Sequence, residues 1–298
     1  MIYNFDIPIL LVTYNRPALT KQVFDQIKRV TPRKLYLVSD GPKSEDELAT
    51  IKEVRDYVEN NIDWQCDFKK LIRKNNLGCK HSVSNGINWF FENEEMGIIL
   101  EDDCLPSLSF FTYCEELLHK FEKDSRIYSI SGFNQQNTWE PEQNDYFFSS
   151  LGNCWGWATW RRCWKGYDVD ISDFSIFVDR NGFKNSLGSS LGKIKEKMIY
   201  EGVVKNNFDS WALQWGYHRH KNHGMTCIPS RSLIKNIGFG EDATHTKLKI
   251  FDDVIAHEIN FPLKTNPFVV PDKEYDDLMF KRDNIFKRSL KRIWRTFN

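Results

Sequence analysis

Three consecutive acids, Glu101-Asp102-Asp103, follow directly on the apolar run Ile98-Ile99-Leu100. Carboxylates crowded at the carboxyl end of a buried strand repel one another, and that end is where open α/β sheets bind ligands. A divalent cation resolves the repulsion. Three acids cannot complete a shell around Mg²⁺ or Mn²⁺, so a substrate diphosphate would supply the missing oxygens. The alternative is an acidic turn before the helix that begins near Ser107. A nucleotidyltransferase or phosphohydrolase would need a second metal-binding carboxylate group on a neighbouring strand, or a P-loop with its Lys, and the sequence carries neither.

Other residues have the chemistry to complete such a site. Arg16 and Arg73 each follow an apolar run, and a planar guanidinium suits bidentate recognition of phosphate, or a surface ion pair. Asp40 precedes Gly41-Pro42, where its carboxylate either accepts from N3 of uracil or shapes the turn. Half of the ten tryptophans, Trp139, Trp155, Trp157, Trp160 and Trp164, fall within 26 residues. Indole faces stack on sugar rings, and Trp155 and Trp157 on the loop around Gly156 are the candidates for that wall. Trp157, Trp160 and Trp164 also have the spacing of one helical face, which would place them in a core. The Gly-rich stretch Asn236-Ile237-Gly238-Phe239-Gly240 runs on to Thr244-His245-Thr246; an imidazole among the ligands favours Mn²⁺ over Mg²⁺.

Elements positioning these residues are legible from periodicity. Apolar runs at 7–13, 34–39, 68–72, 97–100 and 127–131 read as strands, separated by helical stripes such as Leu19, Val23, Ile27 and Val30. Ser44 with Glu47 predicts a capping box opening the second helix, and Ser107 a cap for the fourth. This βα alternation predicts a mostly parallel, Rossmann-like sheet flanked by helices. After Gly132 the pattern changes to loops, the Trp cluster, and helical segments near 190–202 and 206–220. Asp209 sits in the first turn of the latter, and 225–229 reads as a last strand. No period marks 250–280. The expected organisation is one domain over 1–249, with a nucleotide half (1–131) and an acceptor half (132–249), then a helical and irregular C-terminal extension (250–298).

In order, these motifs resemble those of the GT-A nucleotide-sugar glycosyltransferases, particularly the branch similar to N-acetylglucosaminyltransferase I, whose DxD-type motif is Glu-Asp-Asp. The likeness extends over roughly residues 7–245. By this resemblance Thr13-Tyr14-Asn15-Arg16-Pro17 is the nucleotide-binding opening, with Thr13 and Asn15 at the donor. Ser39-Asp40-Gly41 is the base-recognition element, and Asn75-Asn76-Leu77-Gly78 the turn before the next helix. Asp103 takes the metal, Glu101 and Asp102 face the ribose and donor sugar, and His245 closes on the metal or diphosphate, although Ala243 replaces the family's Gly. The Asp-x-Trp at Asp209 supplies the base that removes the acceptor hydroxyl's proton. The implied activity is inverting transfer of a sugar from a nucleoside diphosphate, UDP by preference, to a glycan or lipid-linked glycan. A sugar-binding module on the same fold would leave the acidic triplet unexplained.

Composition sets the remaining bounds. Hydrophobic residues are 41% and charged residues 28% of 298, which excludes a disordered chain. No apolar run reaches the ~18 residues of a spanning helix. Seven scattered cysteines without a CxxC pair suit a reducing cytoplasm. The formal charge is zero, yet residues 281–298 hold seven basic residues against one acid, while the other 280 hold 34 basic and 40 acidic. The body is therefore not a nucleic-acid binder by bulk charge. In the tail Phe286, Leu290, Ile293, Trp294 and Phe297 form one helical stripe, with Lys287, Arg288, Lys291, Arg292 and Arg295 on other faces. That pattern fits peripheral docking on the inner face of an anionic membrane, at about 1 kcal/mol per basic residue. A chain truncated after Phe280 is expected to lose the co-sedimentation with anionic vesicles that the full chain shows at low salt. Equal pelleting of the two would make the tail structural.

Overall fold

The computed structural model describes residues 5–140, 142–188, 190–206, 208–238, 251 and 253–281. The chain alternates β1 (Ile9–Thr13), α1 (Pro17–Val30), β2 (Lys34–Ser39), α2 (Leu48–Asn60), β3 (Asp67–Ile72), α3 (Gly78–Asn93) and β4 (Met96–Glu101). It continues through β5 (Cys104–Pro106), α4 (Leu108–Lys120), β6 (Ile127–Ser131), β7 (Tyr146–Ser149) and β8 (Trp157–Trp160). Short helices α5 (Arg161–Trp164), α6 (Phe174–Asp179) and α7 (Gly182–Asn185) lead to α8 (Ser190–Asn206) and α9 (Ala212–Lys221). Last come β9 (Met225–Pro229), β10 (Ile234–Asn236) and α10 (Lys273–Lys281).

Eight strands form one mixed sheet in the order β3-β2-β1-β4-β8-β6-β9-β7, and β10 pairs with β5 in a small second sheet. The first four strands are parallel, as the apolar runs predict, because helices cover both faces of β1, β2 and β4 and leave almost no exposed position in them. Strand order reverses between β1 and β4, where successive connections leave in opposite directions. The carboxyl ends of those two strands therefore open a crevice. β8 runs antiparallel to β4, with Ile99 opposite Trp157, so the residues before β8 reach the same edge.

Two local expectations are corrected. Trp157 and Trp160 lie on a strand and only Trp164 on a helix, so the helical spacing of the three is coincidental. Neither predicted serine cap forms. Ser44 precedes a single 3₁₀ turn without a side-chain cap, and the Ser107 hydroxyl has no partner among the described residues. Glu258 does the work at α4 instead, accepting from the Leu108 amide at 2.9 Å, the Ser109 amide at 2.7 Å and the Ser109 hydroxyl. The stretch without period also supplies α10, whose Asp276 accepts from the hydroxyls of Ser149 and Ser150 beside β7.

Partial burial raises the Glu258 pKa, but bonds from Ser109 and Leu108 outweigh it and hold the carboxyl below its ordinary value. Its stabilisation is therefore complete above the unfolded pKa and disappears as pH falls through the folded one. Glu258→Gln is expected to cost about 1 kcal/mol at neutral pH, the scale of a lost helix cap. Urea unfolding of both proteins across the acid range checks this: the difference should vanish at low pH, and a pH-independent difference would refute the capping role.

Candidate active site

At the reversal point Asp102 and Asp103, directly after Glu101 at the end of β4, meet Arg16 from the loop after β1. Nη1 of Arg16 lies 3.0 Å from Oδ2 of Asp103, and Nη2 pairs with Oδ1 of Asp102. The Asp102 side chain is 3% exposed, while Asp103 and Arg16 remain about one-fifth exposed at 19% and 22%. The Tyr14 amide also donates to Asp102 at 3.4 Å. Burial raises the Glu101 and Asp102 pKa values, with neighbouring carboxylates adding to the effect and Arg16 opposing it. Burial alone would ease a proton from Arg16, but Asp102 and Asp103 hold it firmly charged. One guanidinium among three carboxyls leaves the cluster short of positive charge.

A second strand pair delivers the Gly-rich segment to this cluster. β10 lies antiparallel to β5, and the Ile237 amide donates to the Asp103 carbonyl at 2.8 Å. A Cβ on Gly238 would stand 2.4 Å from Oδ2 of Asp103, so only glycine permits that approach. His245 lies outside the described residues.

The remaining nucleotide candidates divide. Thr13 is buried, with its hydroxyl donating to the Val38 carbonyl. Asn15 donates to Glu47 at 2.9 Å, and Glu47 also accepts from the Tyr14 hydroxyl and the Lys43 amide, so the glutamate predicted for a helix cap organises the loop after β1 instead. Asp40 accepts from the Gly41 and Leu77 amides and from Nδ2 of Asn76, at 2.9–3.1 Å. Burial raises its pKa while these bonds oppose the rise. The Ser-Asp-Gly and Asn-Asn-Leu-Gly motifs thus lock together, and Gly41 allows the contact, since a Cβ there would lie 2.3 Å from the Asn75 carbonyl carbon. Arg73 stands at the end of β3 with Nε buried and unpartnered among the described residues.

Asp209 is not in the first turn of its own helix; it lies between α8 and α9. Its carboxylate accepts from the Lys80 amide at 2.7 Å and the Cys79 amide at 3.3 Å, capping α3 from across the chain. Cys79 connects this residue to the acids. Burial pushes its thiol pKa up, and Glu101, Asp209 and Asp103 push it further, so both groups act on one side chain. Lys80 adds an ion pair with Asp170 at 2.7 Å. Sequence reasoning does not single out Cys79 or Lys80, whose one signal is their position directly after the Asn-Asn-Leu-Gly turn, and it assigns Glu47 to a helix cap instead of the loop after β1.

The tryptophan pair separates cleanly. Trp157 is wholly buried and stacks on Trp211 at 5.7 Å and 23°, with Trp215 at 5.4 Å, so it is core and not a sugar wall. Trp155 is half-buried at the crevice edge, with its ring edge-on to Phe133 at 4.8 Å and Phe251 at 5.4 Å.

No set of three metal-ligating side chains converges among the described residues. Asp103 nevertheless offers hard oxygen at a partly open position, which fits a divalent cation whose shell is completed by phosphate.

No protein-family model matches this sequence, and comparison with curated proteins finds no match. Among solved structures, the chain is similar to UDP-glucose pyrophosphorylase complexed with UDP-glucose, at 12% identity and a TM-score of 0.27. That match covers 49% of this chain and 63% of that one, so it spans less than two thirds of the enzyme. It is also similar to 4-diphosphocytidyl-2C-methyl-D-erythritol synthase from Anaerococcus prevotii, at 9% identity, 77% and 92% coverage and a TM-score of 0.38. The corresponding figures for an apo UDP-glucose pyrophosphorylase are 8%, 76%, 93% and 0.34.

Proposed function

We propose that this chain is an inverting, metal-dependent glycosyltransferase of the GT-A type, acting on a nucleoside-diphosphate sugar. One observation carries the reading. Asp102 and Asp103 of the acidic triplet meet Arg16 at the carboxyl edge where strand order reverses, and Asp209 caps the start of α3, where Cys79 feels both it and the acids. A diphosphate entering the crevice would meet the Arg16 guanidinium after β1, while Arg73 stands two strands away at the end of β3. Asp103 and His245 are the residues that would hold Mn²⁺ or Mg²⁺, and the bound cation would supply positive charge beside the departing diphosphate. Trp155 offers an aromatic edge to a sugar ring. Asp40 reads the base only if its loop bonds leave an oxygen free, so its contribution is chiefly to hold the wall against which a base packs.

Asp209 takes the acceptor proton in this reading. Direct displacement inverts the anomeric centre and needs a base on the face opposite the leaving group. The α3 amides fix the carboxylate's orientation and leave its remaining lone-pair directions for a hydroxyl. In this reading the acceptor is a glycan or lipid-linked glycan taken up by the half-chain from 132 to 249, and a lipid-linked one would suit an inner-membrane location.

Calorimetry of UDP with and without Mn²⁺ tests the donor site. Binding should require the metal and fall about tenfold or more in Asp103→Asn, the scale of a lost charge-assisted contact. Metal-independent binding that the substitution leaves unchanged would remove the site. For the base, Asp209→Asn should lower kcat on the order of 10²-fold while sparing nucleotide-sugar affinity. An unaltered rate, or a product retaining the donor's configuration, would defeat the assignment.

A further inference from the structure

Both oxygens of Asp103 are already engaged. Oδ2 accepts from Arg16 at 3.0 Å, Oδ1 faces the Cys104 thiol at 3.4 Å, and Gly238 closes over Oδ2. Arg16 reaches Asp102 with its other nitrogen, so one guanidinium bridges two carboxylates much as a divalent cation would. A metal and a guanidinium cannot both contact the same oxygen without strong mutual repulsion. The metal therefore gains Oδ2 of Asp103 only when Arg16 lets go.

What would draw Arg16 away is another acid of similar geometry. The two nitrogens that now face carboxylate oxygens match a diphosphate equally well, and Arg16 sits on the loop after β1 at the crevice mouth. Charge accounts for the rest. Metal alone would displace Arg16 without offering it a new partner, and diphosphate alone would add negative charge beside three carboxyls. Arriving together, they let Arg16 exchange carboxylate for phosphate while the cation takes its place. We propose that Arg16 is a built-in counter-cation that competes with divalent metal for Asp103, making metal and diphosphate bind as a cooperating pair. This inference rests on the proposed function and adds a positioning residue that sets the coupling between the two ligands.

The coupling is reciprocal, so either ligand can report it. Calorimetry on the full chain would titrate Mn²⁺ alone, UDP alone, and Mn²⁺ in the presence of UDP, for the native protein, Arg16→Ala and Arg16→Gln. The native protein should bind Mn²⁺ weakly alone and about tenfold or more tightly with UDP, the scale of one released charge-assisted contact. Both variants should bind Mn²⁺ alone about tenfold tighter than the native chain, with a smaller effect of UDP. Mn²⁺ should also raise their melting temperature more than it raises the native one, which shows that they are folded. Native metal-dependent UDP binding with no gain in metal-only affinity in either variant would overturn the competition while leaving the proposed function standing. Absence of metal-dependent UDP binding in the native chain would overturn both.

Discussion

Gathering three carboxyls at the edge of a buried sheet is the constraint around which the rest of this molecule is arranged. Each charge loses hydration and gains a repulsive neighbour, so Glu101 and Asp102 hold their protons more tightly than ordinary acids do. A fold bears that cost when something opposite in charge is fixed beside it. Here the reversal of strand order brings the loop after β1 alongside the end of β4, and with it Arg16. The parallel sheet therefore does more than bury Ile98, Ile99 and Leu100: its topology determines which cation the acids meet.

Carboxylates elsewhere tie distant parts of the chain by a related device. Glu258 caps α4 across 150 residues, Asp209 caps α3 across 129, and Glu47 collects Tyr14, Asn15 and Lys43. Each satisfies amide or hydroxyl donors at a helix start or in a loop. A cap supplied from far along the sequence fixes a helix and a loop at once, which a local cap cannot do. The arrangement at α3 matters most. It makes one helix start the common support of the Asn76 turn, Cys79 and Asp209, and so links the parallel half of the sheet to the segment between α8 and α9.

Long, strongly patterned elements were legible in the sequence because burial on both faces demands an unbroken apolar run. β2, β6 and β9 match the expected bounds, and β1, β3 and β4 match within two residues. Elements defined by their partner were not legible. β5 and β10 are three residues each and exist because they pair with one another. β8 carries tryptophans at a spacing that fits a helix and a strand end equally, and its pairing between β4 and β6 decides the matter. The acidic triplet was visible as types and order. That Arg16 answers it, and that Asp209 serves another helix, follow from contacts spanning 86 to 130 residues, which no local period encodes.

The position of Cys79 shows how far the site's two halves depend on each other. Its thiol feels Glu101 and Asp103 from the sheet edge and Asp209 from the segment between α8 and α9, with Arg16 the opposing charge. The crevice is thus bounded by acids on both flanks and by one cation on the β1 loop. Any further anion entering the crevice would add negative charge to a basin already deficient in positive charge. Such an anion would compete with the acids for Arg16. Asp209 meanwhile keeps its place because the α3 amides, independent of Arg16, hold it. The charge balance at the sheet edge and the placement of Asp209 therefore rest on separate contacts.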